Sequence, residues 1–337
     1  MKKYIFLVGV ILCLFSSCKQ SKGEGFRNEN QGAALGTSYS IISITPEEID
    51  LQESIDSVFA VINNSLSTYI PASDISKINQ GDSTVAVDKM FQEVFKLSKS
   101  IHSETNGFFD PTVGTLVNAW GFGPERQISL DSLKVDSLLN YVGLDKVELN
   151  EQNQIVKRNP NIYLDFNAIA KGYSIDRLAA MFDAKGIDNY LIEVGGELVA
   201  KGKNILKDKF WVVGIDDPEM QVHRSTKILL HLKDRALASS GNYRKFRIDE
   251  STGKKYVHTI NPKTGFTQIS NTLAVTILAD NCATADAYAT AFMAMDLDEA
   301  FKLVHEHERM EAYIVYLDEM GETQEFMTKG FKQVVIQ

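Results

Sequence analysis

Cysteine is scarce. The 337 residues contain three, at 13, 18 and 282, and none belongs to a CxxC pair or a Cys/His cluster. That excludes a disulfide framework and a thiolate zinc site. Proline is also rare, at 7 residues, and no Pro/Gly/Ser-rich linker, repeat or low-complexity tract interrupts the chain after residue 32. Positive charge is in deficit: 35 Lys+Arg stand against 44 Asp+Glu, a formal net charge of −9. Such a chain has no electrostatic reason to seek nucleic-acid phosphates. There is no GxxxxGK[ST] loop and no GxGxxG fingerprint; Gly195-Gly196 is a bare pair. What is present is an ordinary globular balance, 44% apolar and 23% charged, long enough for two domains or one large one.

The single long apolar run, residues 4–15 (YIFLVGVILCLF), follows Lys2 and Lys3. At ~1.5 Å rise per residue it spans ~18 Å as a helix, well short of a ~30 Å hydrocarbon core. It reads as a secretory signal. Ser16, Ser17 and then Cys18 make it look like a lipoprotein signal, cleaved before Cys18 and diacylated there; an ordinary signal peptide with an incidental cysteine is the plainer alternative. The organisation expected is a signal peptide over 1–17, a polar tether over 18–32 and a body over 33–337. That body is one large unit or two intimately packed subdomains, anchored to the membrane by lipid.

Within the body, hydrophobic spacing predicts a strand at 36–44. It predicts helices over 46–66 (opened by Thr45-Pro46), 87–105, 170–185, 283–295 and 297–305. Strand-like runs fall at 190–200, 211–215, 227–232, 272–278, 312–317 and 333–337. The irregular interleaving points to a mixed α/β or α+β fold rather than a βαβ repeat.

Several stretches look chemical, and each has a plainer reading. Phe108-Phe109-Asp110-Pro111, followed by Trp120, suits an apolar slot for a planar heterocycle, or simply a core. Asp165 ends a strand, and a small-residue turn leads from it into a helix carrying Lys171. Free N–H groups there suit an anion, while a lone lysine is usually solvated. Asp286 and Thr290 are i, i+4 on an alanine-rich helix, a carboxylate and a hydroxyl fit for Mg2+, or an Asp near a helix start with a back-bonding Thr. Ala238–Arg244 reads as a small-residue turn. His258 precedes an N-P-x-T-G turn, as a structural histidine or as a proton acceptor near neutral pH.

Taken in order, these stretches resemble the ApbE family of FAD:protein FMN transferases. The resembling segments include LGTSYS (35–40), LSTYIPASDISKIN (66–79), FFDPTVGTLVNAWGFGPE (108–125), LDFNAIAKGYSIDRLA (164–179), EVGGELVAKGK (193–203), HTINPKTG (258–265) and CATADAYATAFMAM (282–295). The resemblance covers residues 33–337. It implies an α+β fold with mixed, largely antiparallel sheets flanked by helices. It also implies an Mg2+-dependent transfer of FMN from FAD to a Thr or Ser hydroxyl of an acceptor flavoprotein subunit, with AMP leaving. The resemblance further implies that the lipid-anchored body faces the periplasm. Carried over by position, FAD contacts fall on Leu35, Tyr69, Phe108, Phe109, Asp110, Asp165, Lys171 and Ile260. Mg2+ ligands fall on Asp286, Thr290 and the backbone at Ala168 and Ala289. His258 is the implied base, with Asp286 also catalytic. Two positions depart from the family pattern: Leu35 stands where Met is usual, and Asn261 where Asp is usual. Hydrolysis of FAD to FMN and AMP, and a non-enzymatic FAD-binding lipoprotein, are the rival functions.

Overall fold

The computed structural model describes residues 25–218, 225–242, 246–248, 255–267 and 271–336; Cys18 and the signal region lie outside these, as do Tyr243 and Arg244. Two strands, β1 (Phe26–Ala34) and β2 (Thr37–Thr45), open the fold. Five helices follow, α1 (Gln52–Leu66), α2 (Asp74–Asn79), α3 (Lys89–Glu104), α4 (Gly114–Ala119) and α5 (Ser132–Leu139). The hairpin β3 (Val147–Leu149) and β4 (Ile155–Lys157) leads to α6 (Ala170–Ala184). Then come β5 (Tyr190–Val194), β6 (Glu197–Lys201), β7 (Trp211–Asp216), β8 (Thr226–Leu232), β9 (Arg235–Gly241), β10 (Phe246–Ile248), β11 (Lys255–Val257) and β12 (Thr272–Ala279). The chain closes with α7 (Cys282–Ala294), α8 (Leu297–Glu306), β13 (Glu311–Leu317), β14 (Thr323–Met327) and α9 (Lys329–Val334).

Eight strands make one sheet in the order β1-β2-β5-β6-β9-β12-β13-β14, with every neighbouring pair antiparallel. The α+β class and the largely antiparallel pairing expected from the sequence are therefore both present. The central strands are covered on both faces, and their period-2 alternation sorts side chains between two cores. Val199 and Ala236 join the core with α1 and α6. Leu198, Ala200 and Leu237 face the other way, onto the β7–β8 hairpin and Phe331 of α9. A third core gathers α1, α2, α3 and α7. A small fourth core holds Leu116, Trp120, Val135, Val142 and Ile260.

Several sequence expectations need correction. The stretch read as tether is strand from Phe26 onward. β1 is an edge strand held by its main chain to β2, and its largely exposed side chains carry no alternation to read. Helix α1 begins at Gln52, not at 46. Thr45 ends β2, where its hydroxyl accepts from Asn28 and donates to the Glu47 carbonyl instead of capping a helix. The run 190–200 is two strands, split where Gly195 and Gly196 both take positive φ. Ala238–Gly241 is not a turn but part of β9, because small residues there let α7 approach the sheet closely. The closing strand at 333–337 is instead α9 with a single bridge from Val335 to Leu230.

Candidate functional site

Helix α7 is largely apolar, Asp286 is its one charged residue, and all but two of its residues are buried. Asp286 meets the start of α6. The N–H of Gly172 donates to Asp286 Oδ2 at 3.1 Å. The favour is returned: Asp176 of α6 accepts from the N–H groups of Cys282 (2.7 Å) and Ala283 (2.8 Å) at the start of α7. Asn281 takes the next, from Thr284. The two helices thus cap one another, filling donor positions that a helix N-terminus leaves open. Gly172 allows it, since a Cβ there would collide with the Cys282 carbonyl.

Charge accumulates at this junction. Lys171 Nζ lies 2.6 Å from Glu197 Oε1, and both Glu197 and Asp286 are almost fully buried. Burial, reinforced by Glu197, pushes the Asp286 carboxyl up to about 6, against the pull of Lys171 and the Gly172 N–H. Burial lowers the Lys171 amine, but Asp286 and Glu197 more than offset it, so the ammonium is held above the usual lysine range. Cys282 is buried and its thiol is raised well above its ordinary value by desolvation, so it is unreactive.

The other residues singled out from the sequence gather on neighbouring elements. Leu35 occupies the β1–β2 turn with φ 52°, a left-handed conformation unusual for leucine, and packs against two of the cores. Tyr69 is 59% exposed beside Asp165; burial and then the Asp165 charge raise its phenol. Asp165 accepts from the Asn167 N–H, its own N–H donates to the Pro111 carbonyl, and burial raises its carboxyl. Thr290 and Ala168 are half-buried, and Ala289 is fully buried. His258 is half-buried directly after β11, next to Thr259, whose hydroxyl donates to Asn242. Asn261 braces the following turn, accepting from Lys263 and Thr264 and donating to the Ala294 carbonyl at the end of α7.

The aromatic slot does not form as read. Phe108 and Phe109 join the main core, with Lys263 Nζ 3.8 Å from the centre of the Phe108 ring. Trp120 packs with Ile260 in the small core and donates to the Gly265 carbonyl. The Asp110 carboxylate is taken up by Thr112 and the Leu144 N–H, with His102 alongside, and burial raises its pKa. That side chain bolts the 110–144 region together. Sequence reasoning passed over Glu197, Gly172 and Asp176. The signal for Glu197 was present: an acid directly after a glycine pair, opening the otherwise apolar run ELVA.

Among the described residues no three His, Cys, Asp or Glu side chains converge into a metal cage. The donor set still fits a hard cation of the Mg2+ kind, which takes one or two carboxylates and fills its remaining positions with water and substrate phosphates. Asp286 is a buried carboxylate beside a second one, Glu197. Thr290 is one turn further along α7, and Glu197 Oε2 is buried with no hydrogen-bond partner among the described residues.

A buried acid–base junction on the helix side of an antiparallel sheet thus joins the motifs at 164–179, 193–203 and 282–295, and comparison with known proteins agrees. The chain belongs to the ApbE family, whose model matches residues 35–314. It is 31% identical to the FAD:protein FMN transferase of Haemophilus influenzae, over 97% of this chain and 94% of that one. It is 34% identical to that of Vibrio cholerae, over 89% and 90%. The solved flavin transferase ApbE from Vibrio cholerae superposes with a TM-score of 0.83 at 30% identity, covering 92% of this chain and 99% of its own. The ApbE protein of Thermotoga maritima gives 0.80 at 28%, covering 93% and 100%.

Proposed function

We propose that this protein is an FAD:protein FMN transferase that uses Mg2+ and releases AMP. The observation that carries the reading is the α6–α7 junction. There Asp286 accepts from the Gly172 N–H and Lys171 pairs with Glu197, and the junction lies inside the region matched by the family model. In the reaction, the acceptor Thr or Ser oxygen forms a bond to the flavin-side phosphorus of FAD. The bond from that phosphorus to the bridging oxygen breaks, and AMP departs with the oxygen. A hydroxyl is a weak nucleophile until a base removes its proton; His258 takes that proton.

Lys171 places a fixed positive charge toward the diphosphate, and Tyr69 offers an exposed ring for the flavin or adenine. Asp286 and Thr290, with the backbone oxygens of Ala168 and Ala289, would hold the cation, which when bound supplies charge neutralisation at the diphosphate. Leu35, Phe108, Phe109, Asp110, Asp165 and Ile260 complete the FAD surface, Phe109 and Asp110 through their backbone atoms. Lipid attachment at Cys18, with the body facing the periplasm, belongs to the same reading.

The test is incubation with FAD and Mg2+, with and without an acceptor flavoprotein subunit. Flavin fluorescence migrating with the acceptor supports transfer. Free FMN and AMP with no labelled protein would make the enzyme an FAD pyrophosphatase. FAD bound but unchanged would leave only a flavin-binding lipoprotein.

A further inference from the structure

Neither the proposed FAD contacts nor the proposed cation ligands include Glu197, the second buried carboxylate of the junction. It opens β6 immediately after the Gly195-Gly196 turn, where Gly196 donates to Glu193 at 2.6 Å and the chain reverses with two positive φ values. Alternation along β6 then puts Glu197 on the same face as Val199, toward α6. There its Oε1 meets Lys171 Nζ at 2.6 Å. The pair is lopsided: the Lys171 side chain is 31% exposed and that of Glu197 only 3%. The lysine side chain keeps a partly exposed edge, and the carboxylate beside it is enclosed. Oε2 is buried with no partner among the described residues, an arrangement that disfavours folding. A hydrophobic side chain in its place would suit the core better.

We infer that Glu197 is a positioning residue for the proposed flavin transfer: it clamps the Lys171 ammonium in one orientation at the start of α6 so that the N–H groups Glu197 does not take meet the diphosphate of FAD. This rests on the flavin-transferase reading and adds a residue to it. Lysine is a flexible point charge on a long stem. Without a clamp it would swing toward Asp286, the other carboxylate that acts on it.

The expected sign is distinctive. A carboxylate that merely contributed its charge would repel an anionic diphosphate, so neutralising it would tighten FAD binding. A clamp gives the opposite result. The experiment titrates FAD into the metal-free protein, in EDTA, and follows flavin fluorescence for wild type, Glu197→Gln, Lys171→Met and the double variant. Thermal melts run in parallel. Glu197→Gln should weaken FAD about tenfold, in the range of one charge-assisted contact. Lys171→Met should do so similarly, and the double variant should be no weaker than Lys171→Met alone, because the two act as one unit. Glu197→Asp, which keeps the charge, should retain most of the affinity and guards against misfolding of the Gln variant. Unchanged or tighter binding by Glu197→Gln, or fully additive losses in the double variant, would overturn the clamp. Failure of the wild type to bind FAD would overturn the flavin reading itself, and the clamp with it.

Discussion

Burial dominates the state of Asp286, with Lys171 and the Gly172 N–H opposing it and Glu197 reinforcing it. Burial raises that carboxyl, and a bound cation would favour its ionised form. Asp286→Ala should therefore abolish metal-dependent transfer, measured as the rate of AMP release across an Mg2+ titration; full activity that ignores Mg2+ would remove the metal assignment. His258 lies in a braced turn whose neighbours make structural bonds of their own. His258→Ala should leave FAD binding intact and slow transfer ~10²–10⁴-fold, the usual range for a general base. Single-turnover rates at saturating FAD check it, and a wild-type rate would exclude the role.

At the scale of elements, the reciprocal capping of α6 and α7 is the device that holds the site. Burial raises Asp176 to about 6 even though two backbone N–H groups favour its charged form. The folded protein therefore binds a proton that the unfolded chain has already released between about pH 4 and 6. Stability should fall as pH rises through that window and level off above it. Asp286 acts in the same direction, so Asp176→Asn should make the slope shallower without removing it. Urea midpoints of the metal-free protein at pH 4, 5, 6 and 7 test this; a slope identical to wild type would contradict it. Gly172→Ala forces a methyl into the Cys282 backbone and should destabilise by about 1–3 kcal/mol, as overpacking does. Thermal denaturation reads that loss directly.

The elements also show what could be read from sequence. Helices α6, α7 and α8 were legible to within a residue at each end, because an apolar face or an alanine-rich run ended at clear boundaries. Strand β1 was not, since main-chain pairing to β2 leaves no pattern in its side chains. Strand β9 was not either, because its Ala-Ser-Ser-Gly stretch looks like a turn until α7 is seen lying across it. The same limit governs the site. Asp286, Lys171 and His258 stood out from local spacing and turn chemistry, and the family resemblance decided between their readings, whereas Glu197 and Asp176 matter through neighbours more than twenty residues away.

For the whole molecule, the central strands of the eight-stranded sheet are buried on both faces, and the helical side carries the proposed site. The β7–β8 hairpin and α9 cover the opposite face and hold no residue of the site. Among the described residues no helix is long and apolar enough to cross a membrane. Because the ligand contacts proposed here come from the β1–β2 turn, the α1–α2 and α3–α4 connections, the start of α6, α7 and the segment after β11, FAD binding should stabilise the fold as a unit. At a free concentration a hundredfold above its dissociation constant the gain should be about 2.7 kcal/mol. A single, cooperative melting transition shifted upward by FAD checks it; an unshifted transition would speak against a built FAD site.

The most direct measurement is intact-protein and peptide mass spectrometry of an acceptor flavoprotein subunit after co-expression with this protein. The account expects the mass of one FMN added to a single Thr or Ser, present with the wild type and lost with Asp286→Ala. An acceptor of unchanged mass, alongside FMN and AMP set free in solution, would contradict it.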